Sequence, residues 1–327
     1  MTATGRPTET GKIDVVYTWV DDRFEGYRET QSHYADLPAD SSANRTRDNL
    51  DTLRYALRSL RHLPELGHVH ILSCRPQVPA WLNVEAPGIT VHHHDQVMDP
   101  AILPTFNSFA IVSHLHLLPG LSERFLYFED DMLVNRPGLL AGLRDPDGRS
   151  VAHFSTRRVR TGAQLTQKDS AWNHALARAA AALDRSYGAR ERFHVIHGPK
   201  LIDKVNFAAM TDRFAAEIVT TRQSRFRSPQ DVPPEFLYPQ VAVAEGWARA
   251  ATAAEARQME GYIGVDNLLP WTWAKLQWNA RANPITTTLN DNFGERPNPR
   301  VVAMMRRWLE RQHPNPSPYE RVSRAAS

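Results

Sequence analysis

The sequence predicts an α/β fold with a doubly wound, mostly parallel sheet. The first observation is a set of short, continuous apolar runs, which are typical of strands that are buried on both faces. These runs are IDVVYTWV (13–20), HVHILSC (68–74), GITVHHH (88–94) and RFLYFED (124–130). The second observation is that helical patterns separate several of these runs, and such strand–helix alternation favours a doubly wound sheet.

Two helices are predicted among these strands. The first lies in RDNLDTLRYALRSLRHL (47–63), where apolar residues recur at helical spacing and Asp48 or Asn49 is the expected N-cap. The second lies in NSFAIVSHLHLL (107–118). We therefore expect the two helices to cover the faces of the sheet.

The sequence pattern changes after about residue 140. Ala-rich helical patterns at 171–187 and 241–257 alternate with loops that carry Arg and Pro, and a strand pattern returns only with ITTTL (285–289). Asn298 followed by Pro299 predicts the start of a last helix, with an N-cap and then proline at the first position. An apolar stripe predicts that this helix packs on the body of the protein; it consists of Val301, Met305, Trp308 and Leu309.

These patterns divide the chain into five predicted segments. The central one is a mostly helical insertion, which carries several loops with candidate site residues. The segments are a flexible tail (1–12), an α/β core (13–140), the insertion (141–284), a return strand with a closing helix (285–313) and a second tail (314–327).

Composition narrows the class of protein. A hydrophobic content of 42% suits a globular protein with a substantial core, and a net charge of +3 does not indicate a nucleic-acid or polybasic membrane surface. Only five of the 39 basic residues are lysines; the arginines suit an anionic substrate, although codon bias is an alternative explanation. The single Cys74 excludes an internal disulfide, and no apolar run has the length of a membrane span, so we expect a cytoplasmic protein.

An acidic cluster ends the fourth predicted strand. Because side chains alternate along a strand, Glu129 and Asp131 are expected on one face and Asp130 on the other. Ligands gather at the carboxyl ends of parallel strands, and paired carboxylates can hold Mg²⁺ or Mn²⁺ there. The alternative is a solvated acidic turn that caps the next helix.

Three further segments carry candidate site residues. Asn290 and Asp291 follow the strand at 285–289, where a simple turn is the alternative. His197 precedes a Gly-Pro turn and has the side chain that most often deprotonates a hydroxyl, although a structural role is the alternative. Arg225 and Arg227 share one face if their segment is extended, which suits a phosphate as well as a solvated loop. Glycine-rich dinucleotide and P-loop motifs are absent from the sequence.

In their order along the chain, these blocks resemble the Stealth family of sugar-1-phosphate transferases. The resemblance covers about residues 13–320 in four blocks. They are IDVVYTWVDD; RDNLDTLRYALRSLRHL through LPTFNSFAIVSHLHLL to RFLYFEDDML; FHVIHGPKLIDK through RFRSPQD; and TTTLNDNFG through PNPSPYE.

The resemblance implies transfer of a sugar-1-phosphate from a UDP-sugar to a glycan hydroxyl, with a divalent cation, Mg²⁺ or Mn²⁺, on a nucleotide-sugar-transferase-like (GT-A or Rossmann-like) sheet. The resemblance implies no partner besides the donor and the acceptor, and it is compatible with peripheral association with the inner face of the membrane. The implied site residues are His197, Asp131 and Arg227 for catalysis; Asp14, Asp21, Arg47, Arg225, Asn107 and Asn290 for substrate binding; and Glu129, Asp130, Asp131 and Asp291 for the metal.

Three positions depart from the family pattern. Glu129 replaces an asparagine, Val112 replaces a helix glutamate, and Asp22 replaces a glycine. One hypothesis is that Glu129 is a relocated carboxylate, which requires it to point into the pocket beside Asp131. Two other functions stay open, namely an ordinary glycosyltransferase that releases UDP and an inactive nucleotide-sugar-binding scaffold.

Overall fold

The computed structural model describes residues 11–35, 48–294 and 296–321. Its strands are β1 (Ile13–Thr18), β2 (Leu66–Ser73), β3 (Ile89–His93), β4 (Arg124–Glu129), β5 (Met132–Val134), β6 (Ser150–Ala152), β7 (Phe154–Arg158), β8 (Phe193–Val195), β9 (Lys200–Asp203), β10 (Ala248–Ala250), β11 (Glu260–Val265) and β12 (Thr286–Asp291). Its helices are α1 (Tyr27–Tyr34), α2 (Thr52–Ser59), α3 (Ser108–Val112), α4 (Leu139–Leu143), α5 (Ala171–Tyr187), α6 (Lys204–Arg213), α7 (Ala215–Gln223), α8 (Pro234–Ala244), α9 (Ala253–Met259), α10 (Leu269–Ala282) and α11 (Pro299–Gln312).

The central sheet has five strands in the order β3-β2-β1-β4-β9. The first four strands are mutually parallel, and β9 is antiparallel to β4. The strand order reverses between β1 and β4, so a crevice opens there at the carboxyl ends of the two strands. This topology confirms the predicted α/β class with a mostly parallel sheet.

A smaller sheet adjoins the central one in the order β11-β12-β5. β11 and β12 are parallel, and β5 is antiparallel to β12. Only Asp130 and Asp131 separate the end of β4 from the start of β5, and the backbone N–H of Leu289 in β12 donates to the carbonyl of Asp131 at 3.0 Å. The acidic cluster therefore lies at the junction of the two sheets.

Several elements form where the local pattern predicts them. Helix α5 has the predicted bounds, 171–187. Helix α11 begins at Pro299 after Asn298, whose side chain accepts from the N–H of Arg300, and its predicted apolar stripe is buried. Helix α2 begins at Thr52, later than predicted, and the Asp48 carboxylate accepts from the Thr52 N–H at 2.8 Å.

Other expectations differ from the structure. The helical pattern at 107–118 yields only the five-residue α3 and a 3₁₀ turn at Leu115–Leu117, and the pattern at 241–257 is divided among α8, β10 and α9. The segment 141–284 contributes six strands in addition to its helices. Most of them are unpredicted because strands of three to five residues have too few residues to establish an alternation; the six-residue β11 contains two glycines, which interrupt its apolar pattern.

The second tail is held on the body as far as Arg321. Tyr319 and Glu320 are buried, and the backbone N–H of Arg321 donates to the carbonyl of Trp81 at 2.8 Å. The Glu320 carboxylate accepts from the guanidinium groups of Arg54 and Arg58. Long-range ion pairs therefore hold the first part of the predicted second tail, residues 314–321, on the body of the protein. None of the described helices combines the length and apolar character needed to span a membrane.

Candidate functional site

A cleft of about 570 Å³ opens at the switch point of the central sheet. Its floor is formed by residues that follow the carboxyl ends of β1, β4 and β12. Its walls come from the 105–108 and 226–227 loops, from α5 and α8, and from the β8–β9 connection. The two candidate segments that the sequence places at strand ends, Glu129–Asp131 and Asn290–Asp291, therefore meet in one cavity.

Three side chains in this cleft form a compact cluster. The Glu129 Oε2 atom lies 3.1 Å from His197 Nε2, and Asp131 Oδ1 lies 3.9 Å from the same nitrogen. One ligand atom from each residue lies within 4.8 Å of the others, an arrangement that could hold a metal ion. The hypothesis of a relocated carboxylate requires Glu129 beside Asp131 in the cleft, and the side chain is there.

The donor set of the cluster fits a divalent cation. The two carboxylates supply oxygen ligands and the imidazole supplies a nitrogen ligand. Mn²⁺ accepts both kinds of ligand, whereas Mg²⁺ prefers the oxygens. The Asp131 Oδ1 atom is buried and has no hydrogen-bond partner in the described structure. A buried carboxylate oxygen without a partner is costly, and a bound cation would satisfy it.

Backbone contacts position His197 in this cluster. The N–H of His197 donates to Glu260 Oε2 at 3.1 Å, and the Thr288 hydroxyl donates to the carbonyl of His197. The imidazole ring lies 6.0 Å from the ring of Tyr262, measured between centroids. The histidine therefore has a fixed orientation, with both of its backbone groups bonded to β11 and β12.

The charges in the cluster shift one another's titration. Burial lowers the pKa of His197, but the Glu129 and Asp131 charges outweigh it and raise that pKa to about 9. Burial raises the pKa of Glu129, but the charge and the hydrogen bond of His197 lower it to about 2. Burial raises the pKa of Asp131 to about 6, against the opposing charge of His197. His197 and Glu129 thus form an ion pair in which the imidazolium donates.

Asp130 and Asp291 line the cleft without joining the cluster. Burial, with the charge of Asp131, raises the pKa of Asp130 well above its usual range. The Asp291 carboxylate accepts from the Asn49 amide at 2.6 Å and from the N–H of Phe293 at 2.9 Å. Asn290 also lines the cleft, and its amide donates to Asn292.

The two candidate arginines have different surroundings. Arg227 lines the cleft, where its guanidinium donates to the Ser108 hydroxyl and lies 4.8 Å from the centre of the Phe109 ring. Arg225 lies outside the cleft lining; it donates to the carbonyls of Pro104 and Ala101. The shared face required an extended segment, but the chain bends at Arg225 and Phe226, so the adjacent Phe226 and Arg227 both line the cleft while Arg225 fixes the neighbouring loop.

Three predicted substrate contacts lie away from the cleft lining. Asn107 is fully buried, and its amide donates to Asp231 at 2.8 Å, so it anchors loops that border the cleft. Asp14 lies near the start of β1, at the opposite end of the sheet, and accepts from the N–H groups of His68 and Ser122. The Asp21 carboxylate is paired with Arg23 at 2.6 Å.

The low pKa of Asp14 comes from its polar contacts. Burial raises this pKa, but His70, whose Nε2 lies 3.6 Å from Asp14 Oδ2, and the hydrogen bonds from His68 and Ser122 outweigh burial and hold the pKa well below its usual range. The family-block match at this position is therefore explained by a structural role. Arg47, the remaining predicted contact, lies outside the described residues.

The structure adds residues to the cleft that the sequence analysis did not single out. Glu235, in the first turn of α8, lines the cleft, and its Oε2 atom is buried without a hydrogen-bond partner in the described structure. Val112 lines the same cleft, so α3 contributes no carboxylate there. Arg157, His194 and Lys200 supply basic groups to the walls. Glu235 follows two prolines, and nothing in the sequence around it predicts that its side chain faces the cleft.

The fold and the cleft define a class of α/β protein in which a carboxylate–histidine cluster faces basic side chains at the switch point of a parallel sheet. Two conserved regions identify the family within this class. Stealth protein CR2, conserved region 2, matches residues 45–143, and Stealth protein CR3, conserved region 3, matches residues 196–243. The chain belongs to the Stealth family.

Relatives with assigned names support this membership. An exopolysaccharide phosphotransferase of Streptomyces coelicolor is 33% identical over 96% of this chain and 53% of its own length. The capsular polysaccharide phosphotransferase LcbA of Neisseria meningitidis is 30% identical over 72% of this chain and 66% of its own length. The chain thus spans about half the length of the former relative and about two thirds of the latter.

Among solved structures, the galactosyltransferase LgtC in complex with donor and acceptor sugar analogues is similar with a TM-score of 0.44 and 11% identity, covering 91% of this chain and 96% of that one.

Proposed function

We propose that this protein transfers a hexose- or N-acetylhexosamine-1-phosphate from a UDP-sugar to a glycan hydroxyl in the synthesis of a capsular or other cell-surface polysaccharide. The reaction forms a phosphodiester and releases UMP. The observation that carries the proposal is the Glu129–Asp131–His197 cluster, which shares its cleft with Arg227 and Lys200 in a chain of the Stealth family. The names of the relatives, all of them phosphotransferases, agree with it.

The atoms of the reaction define what the cleft must do. The acceptor oxygen bonds to the phosphorus that carries the sugar, and the bond from that phosphorus to the bridging oxygen breaks, so UMP leaves with the bridging oxygen. Such a transfer needs an aligned hydroxyl and neutralisation of charge rather than a covalent intermediate. An ordinary glycosyltransferase would instead break the bond at the sugar carbon and release UDP.

Each group in the cleft has a role in this scheme. Glu129 and Asp131 would hold Mg²⁺ or Mn²⁺, which when bound neutralises the diphosphate of the donor. Arg227 lines the cleft, where two hydrogen bonds to the Ser108 hydroxyl fix its guanidinium, and its positive charge would stabilise the transferred phosphoryl group. Lys200, whose ammonium donates to the carbonyl of Gly198 at 3.0 Å, adds a second positive charge.

His197 binds and orients the acceptor hydroxyl in the proposed reaction. Its imidazole is already held by Glu129 at 3.1 Å, and Tyr262 lies alongside it at the cleft surface. A cation held by Glu129 and Asp131 would offset the two charges that raise the pKa of His197, and the neutral imidazole would then accept the proton of the acceptor hydroxyl when the new bond to phosphorus forms. Asp291 and Asn290 line the same cleft, where they are candidates for contacts with the donor or the acceptor.

Identification of the released nucleotide tests the proposal. The protein would be incubated with Mg²⁺ or Mn²⁺, candidate UDP-sugars and glycan acceptors, and the nucleotide product would be separated by chromatography. We expect UMP, and we expect Asp131→Ala and His197→Ala to abolish its release. Arg158→Gln, on the exposed face of β7, is the matched control.

The other two functions predict different products. Release of UDP alone would identify an ordinary glycosyltransferase and contradict sugar-1-phosphate transfer. Binding of UDP-sugars without release of either nucleotide, across the acceptors tried, would favour the inactive scaffold that the replacement by Val112 suggests.

A further inference from the structure

A second basic group of the cleft is contributed by the paired antiparallel strands β7 and β8. Arg157 on β7 and His194 on β8 both line the cleft. The two strands are antiparallel, with Phe154 paired to Val195 and Arg158 paired to Phe193, so His194 lies opposite the residues between these pairs. The two side chains therefore form one surface at the side of the cavity.

Arg157 differs from its neighbours in having no anionic partner among the described residues. Arg158 pairs with Glu191 at 2.9 Å, and Arg160 pairs with Asp169 at 2.5 Å. The Arg157 side chain is exposed at the cleft mouth and makes no ion pair or hydrogen bond with another described side chain. An arginine that is left uncompensated beside two compensated ones is available to a ligand.

The surroundings of Arg157 place this charge near the proposed acceptor side. Burial raises the pKa of the Tyr262 phenol and the charge of Arg157 opposes that rise, while the Tyr262 ring lies 6.0 Å from the ring of His197. Burial, followed by the charges of Arg157 and Arg160, lowers the pKa of His194 to about 4. His194 is thus a neutral hydrogen-bonding partner beside a guanidinium, on the side of the cleft where Tyr262 borders His197.

The proposed reaction itself supplies an anion for this surface. Each transfer leaves a phosphodiester between the new terminal sugar and the sugar that accepted it, so the acceptor of the next transfer carries one negative charge close to its reactive hydroxyl. We propose that Arg157 and His194 form an acceptor subsite that binds this phosphodiester of the growing polysaccharide. The inference rests on the proposed function, and it defines the acceptor as an anionic, phosphodiester-linked glycan.

Binding without a donor tests the subsite. The probes are an N-acetylglucosamine oligosaccharide joined through phosphodiesters, a neutral oligosaccharide of the same length, and one that carries a uronic acid carboxylate. Calorimetry would compare the wild-type protein with Arg157→Gln and with Arg158→Gln, which removes the same charge from the adjacent position on β7. Thermal unfolding would verify that both variants are folded.

We expect the wild-type protein to prefer the phosphodiester probe, and Arg157→Gln to weaken that binding by about tenfold or more while Arg158→Gln leaves it unchanged. Equal binding of the charged and neutral probes by the wild type, including the case in which neither binds, would overturn the subsite. An equal loss with the carboxylate probe would overturn its assignment to a phosphodiester. Because no donor is present, these results are independent of the nucleotide-release assay, in which UDP in place of UMP would overturn the proposed function instead.

Discussion

Glu235 offers a quantitative test of the electrostatics of the cleft. Burial, and then the charge of Glu129, raise its pKa from 4.5 to about 7, while Lys200 and Arg227 oppose the shift. A carboxyl group with a raised pKa in the folded state favours its neutral form there. The carboxylate consequently destabilises the fold, and the substitution Glu235→Gln, which keeps the shape and removes the charge, should relieve this effect.

The magnitude follows from linkage between protonation and folding. At pH values below the pKa of Glu235 in the unfolded chain, the carboxyl group is protonated in both the folded and the unfolded state, so it does not change the free energy of unfolding. As pH rises from about 4.5 to about 7, the unfolded state loses its proton first and stability falls; above that range the full difference is present. With these two pKa values, the destabilisation is about 1 kcal/mol at about pH 5 and about 3 kcal/mol at about pH 8, an upper limit because the side chain keeps some exposure.

Urea denaturation of the wild type and of Glu235→Gln, at about pH 5 and about pH 8, measures the difference in free energy of unfolding. We expect the variant to be more stable than the wild type, with a gain that grows by about 2 kcal/mol between the two pH values. Glu85→Gln, at an exposed position, is the control and should show no such growth. A gain that is constant with pH, or a loss at about pH 8, would refute the assigned surroundings of Glu235.

Two further predictions concern stability away from the cleft. Glu320→Gln should lower the free energy of unfolding by about 3 kcal/mol near neutral pH, because the buried Arg58 loses its main partner. Denaturation curves should show this loss shrinking as pH falls from about 4.5 to about 2, because the wild-type carboxylate takes up its proton in that range. Gly67→Ala should lower the free energy of unfolding by about 1–3 kcal/mol in thermal or urea unfolding, since the added Cβ would lie 2.7 Å from Asp14 Oδ1 and 3.1 Å from the Ile13 backbone. Gly162→Ala is the control, because a Cβ at that position meets open space. Equal effects of the two substitutions would contradict the predicted clash.

The sequence predicted those parts of the fold that depend on near neighbours. The helix at 171–187 and the capped start at Asn298 follow from periodicity and from a side chain that bonds to the backbone two residues later. Prediction failed for short segments because it depends on periodicity. Helix α3 is five residues long and β8 is three, so neither contains enough repeats for a period to be recognised.

The candidate site divides in a similar way. Glu129 and Asp131 line the cleft because they follow the carboxyl end of a parallel strand of the central sheet, and Asp291 lines it from the end of β12 in the adjoining smaller sheet. Asn107 and Arg225 have equally suitable side chains, but these bond to Asp231 and to loop carbonyls instead. Side-chain chemistry alone does not distinguish a polar group that faces a ligand from one that anchors a loop.

Strand patterns and motif order are properties of the chain, so the α/β class, the carboxylates at the strand ends and the resemblance to the Stealth family were predictable without the structure. Only the tertiary structure brought His197 to Glu129 across 68 residues, and only the tertiary structure placed Glu235 and Arg157 in the same cleft. The physical reason is that the partner of a charged side chain depends on which distant segments the sheet brings together, and local periodicity carries no information about that pairing.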